Sequence, residues 1–156
     1  MRKLALLTAA LFCLLVSLAA AEQTRESYKA QVEPICKQNT IATERIMKGA
    51  KKEIKQGKLT LAGSKFLKAS AALKQAYNQL AAVEQPPADV ARLTKWLGYL
   101  KKEAELFTQT GKALKANNKH KAQHLIDQLS KNANQANVTV LAFNFHYCKV
   151  ETSKYT

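Results

Sequence analysis

The stretch DVARLTKWLGYLKKEAELFTQTGKALKA, residues 89–116, decides how the rest of the chain can fold. Its apolar and small residues recur at alternating intervals of three and four positions, which places them in one stripe along an α-helix. Such a stripe is stable only when other helices cover it, so the stretch predicts a helical bundle. Trp96 lies beside the stripe, where we expect it to cover a seam between helices. The residues of the stripe are Val90, Leu93, Leu97, Leu100, Ala104, Phe107, Gly111 and Leu114.

Three further segments carry apolar stripes of the same period. Residues 22–33 form a polar lead-in, and a regular helix is expected from Pro34, since proline suits the first turn of a helix. The second segment begins at Thr60, which can cap a helix, and ends before a pair of prolines. Asparagines bound the last segment, 119–143, and can end helices. The residues expected to face inward are Ile35, Ala42, Ile46, Ala50 and Ile54; Ala62, Phe66, Ala69, Leu73, Ala76, Leu80 and Val83; and Ala122, Leu125, Leu129, Ala133, Ala136, Val140 and Phe143.

The connections between these segments are short, so successive helices are expected to run antiparallel. We predict an all-α fold: an antiparallel, up-down-up-down four-helix bundle over residues 34–148, followed by a flexible tail at 149–156. This order places Cys36 and Cys148 at the same end, so one disulfide is expected to close the bundle. A metal site at these two cysteines would need further ligands close to them, and none are near in the sequence.

The first 21 residues have the features of a secretory signal peptide. Arg2 and Lys3 precede an uncharged apolar run, residues 4–21, which ends in three alanines. We expect cleavage after Ala21 and a secreted, periplasmic or otherwise extracytoplasmic protein. An uncleaved membrane anchor is the alternative, because the run is nearly long enough to span a bilayer. Cys13 lies within the run and is expected to be lost with it.

The chain is strongly basic, with 25 Lys and Arg, 11 Asp and Glu and a formal net charge of +14. Removal of residues 1–21 leaves 23 basic and 11 acidic residues, a net charge of +12. Residues 48–68 hold seven lysines and one glutamate, and residues 112–121 hold four lysines and no acid. In the up-down order both segments lie at the end opposite the disulfide, and we call their lysines the lysine pole. The lysine pole consists of Lys48, Lys51, Lys52, Lys55, Lys58, Lys65, Lys68, Lys112, Lys115, Lys119 and Lys121.

The lysine pole predicts an exported, non-catalytic binding or structural protein of the cell envelope or medium, which contacts anionic polymers or membrane surfaces. Lysine is a mobile point charge, so the contact is expected to be weakly specific and strongly salt-dependent. The segments lack the interleaved aromatic residues of proteins that read single-stranded nucleic acids, so no specific nucleic acid is expected. The alternative interpretation is that the charge only keeps the protein soluble.

Residues that could carry other chemistry are few. His120 and His124 are four positions apart, as zinc or copper ligands on a helix can be, and they favour an alternative function as a metal-handling periplasmic or extracellular bundle. The apolar positions around them turn this face toward solvent. Glu103 and Glu105 are expected on outward faces, and no haem-attachment, nucleophile-elbow or phosphate-loop motif occurs. We therefore predict no enzyme and no cofactor.

A set of residues spread over most of the chain shares its pattern with a known group of proteins. These residues are Cys36, Pro86, Pro87, Ala88, Asp89, Trp96, Leu97, Leu100, Ala113, Leu114, Lys115, Ala116, Phe143, Phe145 and Cys148. In them the chain resembles small secreted, two-cysteine helical-bundle proteins of unassigned function found in actinobacterial genomes. It departs from that group in having Asn144 where glycine is usual and lysine-rich instead of arginine-rich surfaces. The resemblance implies the bundle and the disulfide, and it implies no activity.

Overall fold

The computed structural model describes residues 23–155, which contain helices and no strands. Four long helices pack together, and the most extensive contacts join α3 to α4 and α4 to α5. This confirms the predicted all-α fold. The helices are α1 (Arg25–Met47), α2 (Ala50–Lys55), α3 (Leu59–Ala81), α4 (Val90–Lys115) and α5 (Lys119–Thr139), with short 3-10 helices at Pro87–Asp89, Leu141–Phe143 and Thr152–Lys154.

Left-handed backbone ends several of these helices. Asn117 follows α4 with φ of 55°, and Asn144 follows the 3-10 turn after α5 with φ of 46°. Asparagine tolerates this conformation better than most residues, so both stops agree with the sequence. The side-chain oxygen of Asn118 then accepts a hydrogen bond from the backbone N–H of Lys121 (3.0 Å) and caps α5. Gly49, with φ of 82°, separates α1 from α2, whereas the predicted inward positions from Ile35 to Ile54 imply one continuous helix.

The beginning of α1 differs from its prediction. The helix starts at Arg25, and Pro34 lies inside it. Thr24 and Ser27 form a reciprocal capping box, in which each side-chain hydroxyl accepts the other residue's backbone N–H. Tyr28, on the next turn, is fully buried. Because capping and burial hold the first turns, the lead-in is helical before the proline is reached.

The inward face of α1 is also different. Isoleucines at 35, 46 and 54 were expected to point inward, but they are only partly buried. Of the predicted residues only Ala50 is fully buried, and the other buried residues of this segment are Tyr28, Val32, Cys36, Thr43 and Met47. Cys36 must face its disulfide partner, and this requirement fixes which side of α1 is turned inward.

The other three stripes agree well with the structure. Every predicted inward residue of α5 and its extension is buried, and those of α3 are buried or partly buried. In α4 Leu100 is partly buried, and the exception is Val90, which is 46% exposed in the first turn. Trp96, expected at a seam, is fully buried. Thr60 does not cap α3, because the helix already begins at Leu59.

Two clusters of buried side chains make up the core. The first joins residues 47–69 to residues 106–129, and the second joins residues 28–36 and 80–97 to residues 136–148. The second cluster contains the disulfide between Cys36 and Cys148, whose Cα atoms are 5.0 Å apart. The predicted disulfide is therefore confirmed.

The backbones of α3 and α4 approach each other most closely at Gly63 and Gly111. A Cβ atom at Gly63 would lie 2.7 Å from the carbonyl oxygen of Gly111, and one at Gly111 would lie 2.8 Å from the carbonyl oxygen of Gly63. Neither oxygen can move without shifting a helix. The absence of a side chain at both positions is therefore what permits this close approach of the two helices.

We expect Gly63→Ala to lower the free energy of unfolding by about 2–3 kcal/mol, since overpacking a rigid contact costs roughly that much. Urea denaturation measures the change. Gly98→Ala is the matched control, because a Cβ at this exposed position of α4 meets nothing within 4 Å. At position 98 the substitution is expected to raise the free energy of unfolding by about 0.5–1 kcal/mol, because alanine has a higher helix propensity than glycine. Equal effects at both positions would contradict the close contact.

Candidate functional site

The lysine pole is almost entirely solvent-exposed: ten of its eleven side chains are exposed, and Lys65 is partly buried. Lys51, Lys52 and Lys55 lie on α2, and Lys58 follows it. Lys112 and Lys115 form part of the last turn of α4, where positive charge is favoured by the helix dipole. Lys119 and Lys121 open α5.

The two lysine-rich segments contact each other. Met47, Ala50 and Ala62 from around the first segment and Leu114 and Ala122 from around the second belong to one cluster of buried residues. The helix backbones meet here as well, since the Cβ position of Gly63 lies 3.1 Å from the backbone nitrogen of Lys115. The structure therefore brings together segments that are separated by more than 40 residues in the chain.

Lys65 differs from the other lysines. Its Nζ atom lies 2.5 Å from Oε1 of Glu53 and also donates a hydrogen bond to the backbone carbonyl of Lys48 (2.6 Å). Glu53 is the one acidic residue in residues 48–68, and its negative charge is paired with Lys65. Lys65 thus ties α3 to α2 and the preceding turn, and the remaining ten lysines are the ones available to a partner.

The candidate metal ligands lie on the exposed side of α5. His120 and His124 are both exposed, and Nε2 of His124 is 2.8 Å from the side-chain nitrogen of Gln128. Asp127 accepts a hydrogen bond from Gln123 (3.0 Å). Within residues 23–155, no group of three or more His, Cys, Asp and Glu side chains is placed to hold a metal ion. Metal handling by the two histidines stays a prediction.

Polar contacts tie the chain after α5 to α1, around the disulfide. The Glu33 carboxylate accepts the backbone N–H groups of His146 and Tyr147, the latter at 2.8 Å. Lys29 donates to the carbonyl of Asn144 (2.6 Å). In the segment predicted to be a flexible tail, Thr152 is buried. The described part of that segment therefore lies against the bundle.

An ion pair fixes the start of α4 to the start of α1. Both nitrogen–oxygen contacts between Arg25 and Asp89 are short, at 2.5 and 2.8 Å, and the Asp89 side chain is buried. Hydrogen bonding from Arg25 lowers the pKa of Asp89 below its ordinary value. Asp89 lies at the N-terminus of α4 and makes no side-chain capping bond; its carboxylate binds a partner 64 residues away.

The prediction that Glu103 faces outward is wrong. Its side chain is only 5% exposed, and burial raises its pKa to about 8. Glu105, two positions on, is exposed as expected. The spacing of Trp96, Leu100, Glu103 and Phe107 is four, three and four, which places the carboxyl on the same side of α4 as three large apolar residues. That spacing is the signal in the sequence that predicts burial of Glu103, and it outweighs the usual preference of a charged residue for solvent.

No helix among the described residues 23–155 is long and apolar enough to cross a membrane. The predicted signal peptide, residues 1–21, lies outside the described part of the chain. Compared with protein-family models, curated proteins and solved structures, the chain has no significant match. The resemblance to small secreted two-cysteine proteins therefore remains a prediction.

Proposed function

We propose that this chain is an exported, non-catalytic protein that contacts anionic surfaces or polymers through its lysine pole. The proposal includes export by a signal peptide that ends near Ala21 and an antiparallel, up-down-up-down order of the four long helices. The disulfide is consistent with an oxidising compartment outside the cytoplasm, where such bonds form and persist.

The composition of the two buried clusters supports the antiparallel order. One cluster combines the end of α1, the first half of α3, the second half of α4 and the first half of α5. The other combines the start of α1, the end of α3, the first part of α4 and the residues around the end of α5. This division is what helices of alternating direction produce. At either end of such a bundle, the start of one helix lies beside the end of the next.

The observation that carries the proposal is the concentration of charge beside one cluster. Residues 48–68 and 112–121 have net charges of +6 and +4, against +12 for the chain after removal of residues 1–21. The rest of that chain is therefore nearly neutral, at +2. A solubilising charge has no need to collect at one end, whereas a surface that binds an extended anion does.

The ten exposed lysines carry mobile ammonium groups, and each can approach a phosphate, sulfate or carboxylate without a fixed geometry. Association would release counterions from the anionic partner, so the affinity would fall steeply with salt. Each lysine close to an anionic membrane contributes about 1 kcal/mol to the free energy of binding. Several such weak contacts together give a high affinity.

The test compares two variants with the same net charge. The first reverses the charge at Lys51, Lys52, Lys55, Lys115 and Lys119 by substitution with glutamate. The control makes the same change at Lys74, Lys95, Lys101, Lys102 and Lys131, which are exposed, lie outside the lysine pole and make no hydrogen bond or ion pair within residues 23–155.

Sedimentation with vesicles containing an anionic lipid measures binding, and heparin serves as a polymer probe. The loss of five contacts corresponds to about 5 kcal/mol, so the pole variant should bind the vesicles more than about a thousandfold more weakly than the wild type. The control should retain most of its binding and most of its salt dependence. Equal losses in the two variants would show that net charge alone is responsible, and would defeat the proposal.

A further inference from the structure

A cavity of about 350 Å³ lies between α1, α3, α4 and the C-terminal segment 146–155. Its size is within the range of small-molecule sites, roughly 300–1,000 Å³. Trp96 and Phe107 from α4, Tyr77 from α3 and Tyr147 and Tyr155 from the C-terminal segment give it aromatic walls. It borders the disulfide and does not include any lysine of the lysine pole.

Glu103 is the buried ionisable group of this cavity. Its carboxyl makes no hydrogen bond and no ion pair with any residue in 23–155, although the side chain is 95% removed from solvent. Its oxygens are not among the fully buried, unpartnered polar atoms of residues 23–155, so they are open to the cavity. A largely desolvated carboxyl is costly to ionise unless a positive charge lies against it. Unpartnered ionisable groups in a concave site are candidates for ligand contacts.

The charges around the cavity favour a cation. Lys154 at its edge is held between Glu44 (3.0 Å) and Glu151 (2.7 Å), so two carboxylates share one ammonium group. Lys149 is the other cation of the lining, and Glu103 adds the third carboxyl. With Glu103 ionised the lining carries three carboxylates and two lysines, a local excess of negative charge on a chain whose net charge is +14.

We propose that this cavity binds a small organic cation, with its ammonium group against the Glu103 carboxylate and its apolar body against the aromatic walls. Ammonium groups are attracted both to carboxylates and to the faces of aromatic rings, most strongly where water is excluded. This site is independent of the lysine pole, which attracts the opposite charge.

Binding in this arrangement requires that Glu103 lose its proton. The other titratable groups that line the cavity are Glu44 from α1, Tyr77 from α3 and His146, Tyr147, Lys149, Glu151, Lys154 and Tyr155 from the C-terminal segment. Because the pKa of Glu103 is raised to about 8, affinity for a permanently charged cation should rise about tenfold per pH unit between pH 6 and pH 7 and level off above pH 8.

Trp96 provides the measurement, because it is the one tryptophan of the chain and lines the cavity. Its fluorescence is followed during titration with 2-phenylethylammonium, hexylammonium and benzyltrimethylammonium, and with 2-phenylethanol as the uncharged match of the first. At pH 8 we expect the ammonium compound to bind at least about tenfold more tightly than the alcohol. Benzyltrimethylammonium, which cannot lose its charge, gives the pH profile.

Glu103→Gln keeps the shape of the side chain and should abolish both the preference for ammonium and the pH dependence. Glu105→Gln, the same change at an exposed position of the same helix, should leave both unchanged. Ala76→Leu, which fills the cavity from α3, should weaken binding of every probe. The proposal is overturned if no ammonium probe changes the fluorescence at millimolar concentration, if the alcohol binds equally well, if the preference survives Glu103→Gln, or if binding survives Ala76→Leu.

Discussion

Removal of the disulfide should lower the free energy of unfolding by about 4–5 kcal/mol. Cys36 and Cys148 are 112 positions apart, so the bond closes a loop that includes nearly the whole bundle. In the unfolded chain such a closure removes a large amount of conformational entropy, and the cost of folding is correspondingly smaller. Most small domains have a total stability of only about 5–15 kcal/mol, so the loss is a large fraction of it.

Urea denaturation of the oxidised protein, of the reduced protein and of a variant with serine at both positions measures this effect. The reduced protein and the double variant should agree, since both remove the same constraint. The segment after α5 retains its bonds to Glu33 and Lys29, so the reduced protein should still fold, and its hydrogen exchange should increase mainly in residues 141–155. A decrease in the free energy of unfolding of less than about 1 kcal/mol would contradict a stabilising role for the disulfide.

The second large effect is a loss of stability with rising pH, caused by Glu103. Its pKa is about 8 in the folded protein and 4.5 for the unburied side chain, so the folded state binds the proton more tightly. The stabilisation by that proton is fully present below pH 4.5 and is lost progressively as the pH rises through 8. The shift corresponds to at most about 5 kcal/mol, and water entering the cavity would reduce it.

Glu103→Gln is the variant that isolates this contribution, because glutamine cannot ionise. Its stability relative to the wild type should increase by several kcal/mol between pH 4 and pH 9, as measured by denaturation at each pH. Glu105→Gln removes an exposed carboxylate from the same helix and should show no such trend. A constant difference in stability between Glu103→Gln and wild type from pH 4 to pH 9 would show that the Glu103 carboxyl is hydrated in the folded protein.

Asp89 has the opposite effect at lower pH. Because Arg25 depresses the pKa of Asp89, the stabilisation that its carboxylate provides is lost on acidification.

The parts of the fold that followed from the sequence are those in which one local signal dominates. Residues 119–143 have an uninterrupted apolar stripe between two asparagine-containing stops, and all seven predicted inward residues are buried. The stripe in residues 89–116 is likewise buried apart from Leu100, which is partly buried, and Val90, which is exposed in the first helical turn. For such segments hydrophobic period alone predicts the buried face.

The errors occur where tertiary contacts override that signal. Isoleucines suggested one face for α1, but the disulfide and the buried Tyr28 and Met47 require another. Residue type predicts a solvated Glu103, although its helical position among Trp96, Leu100 and Phe107 predicts burial. The sequence does not distinguish Lys65 from the other lysines of the pole, and only the fold brings it to Glu53. Each case depends on which distant segment lies opposite, and a single sequence does not specify that.

The central claim is that the lysine pole is the surface that meets an anionic partner, and lysine acetylation measured residue by residue tests it most directly. Acetylation rates are compared for the protein alone and with saturating heparin, and separately with anionic vesicles. We expect strong protection of the ten exposed lysines of the pole and little at Lys74, Lys95, Lys101, Lys102 and Lys131. Lys65, held by Glu53, should react slowly in both states. Protection spread evenly over all exposed lysines, or concentrated outside residues 48–68 and 112–121, would contradict the claim.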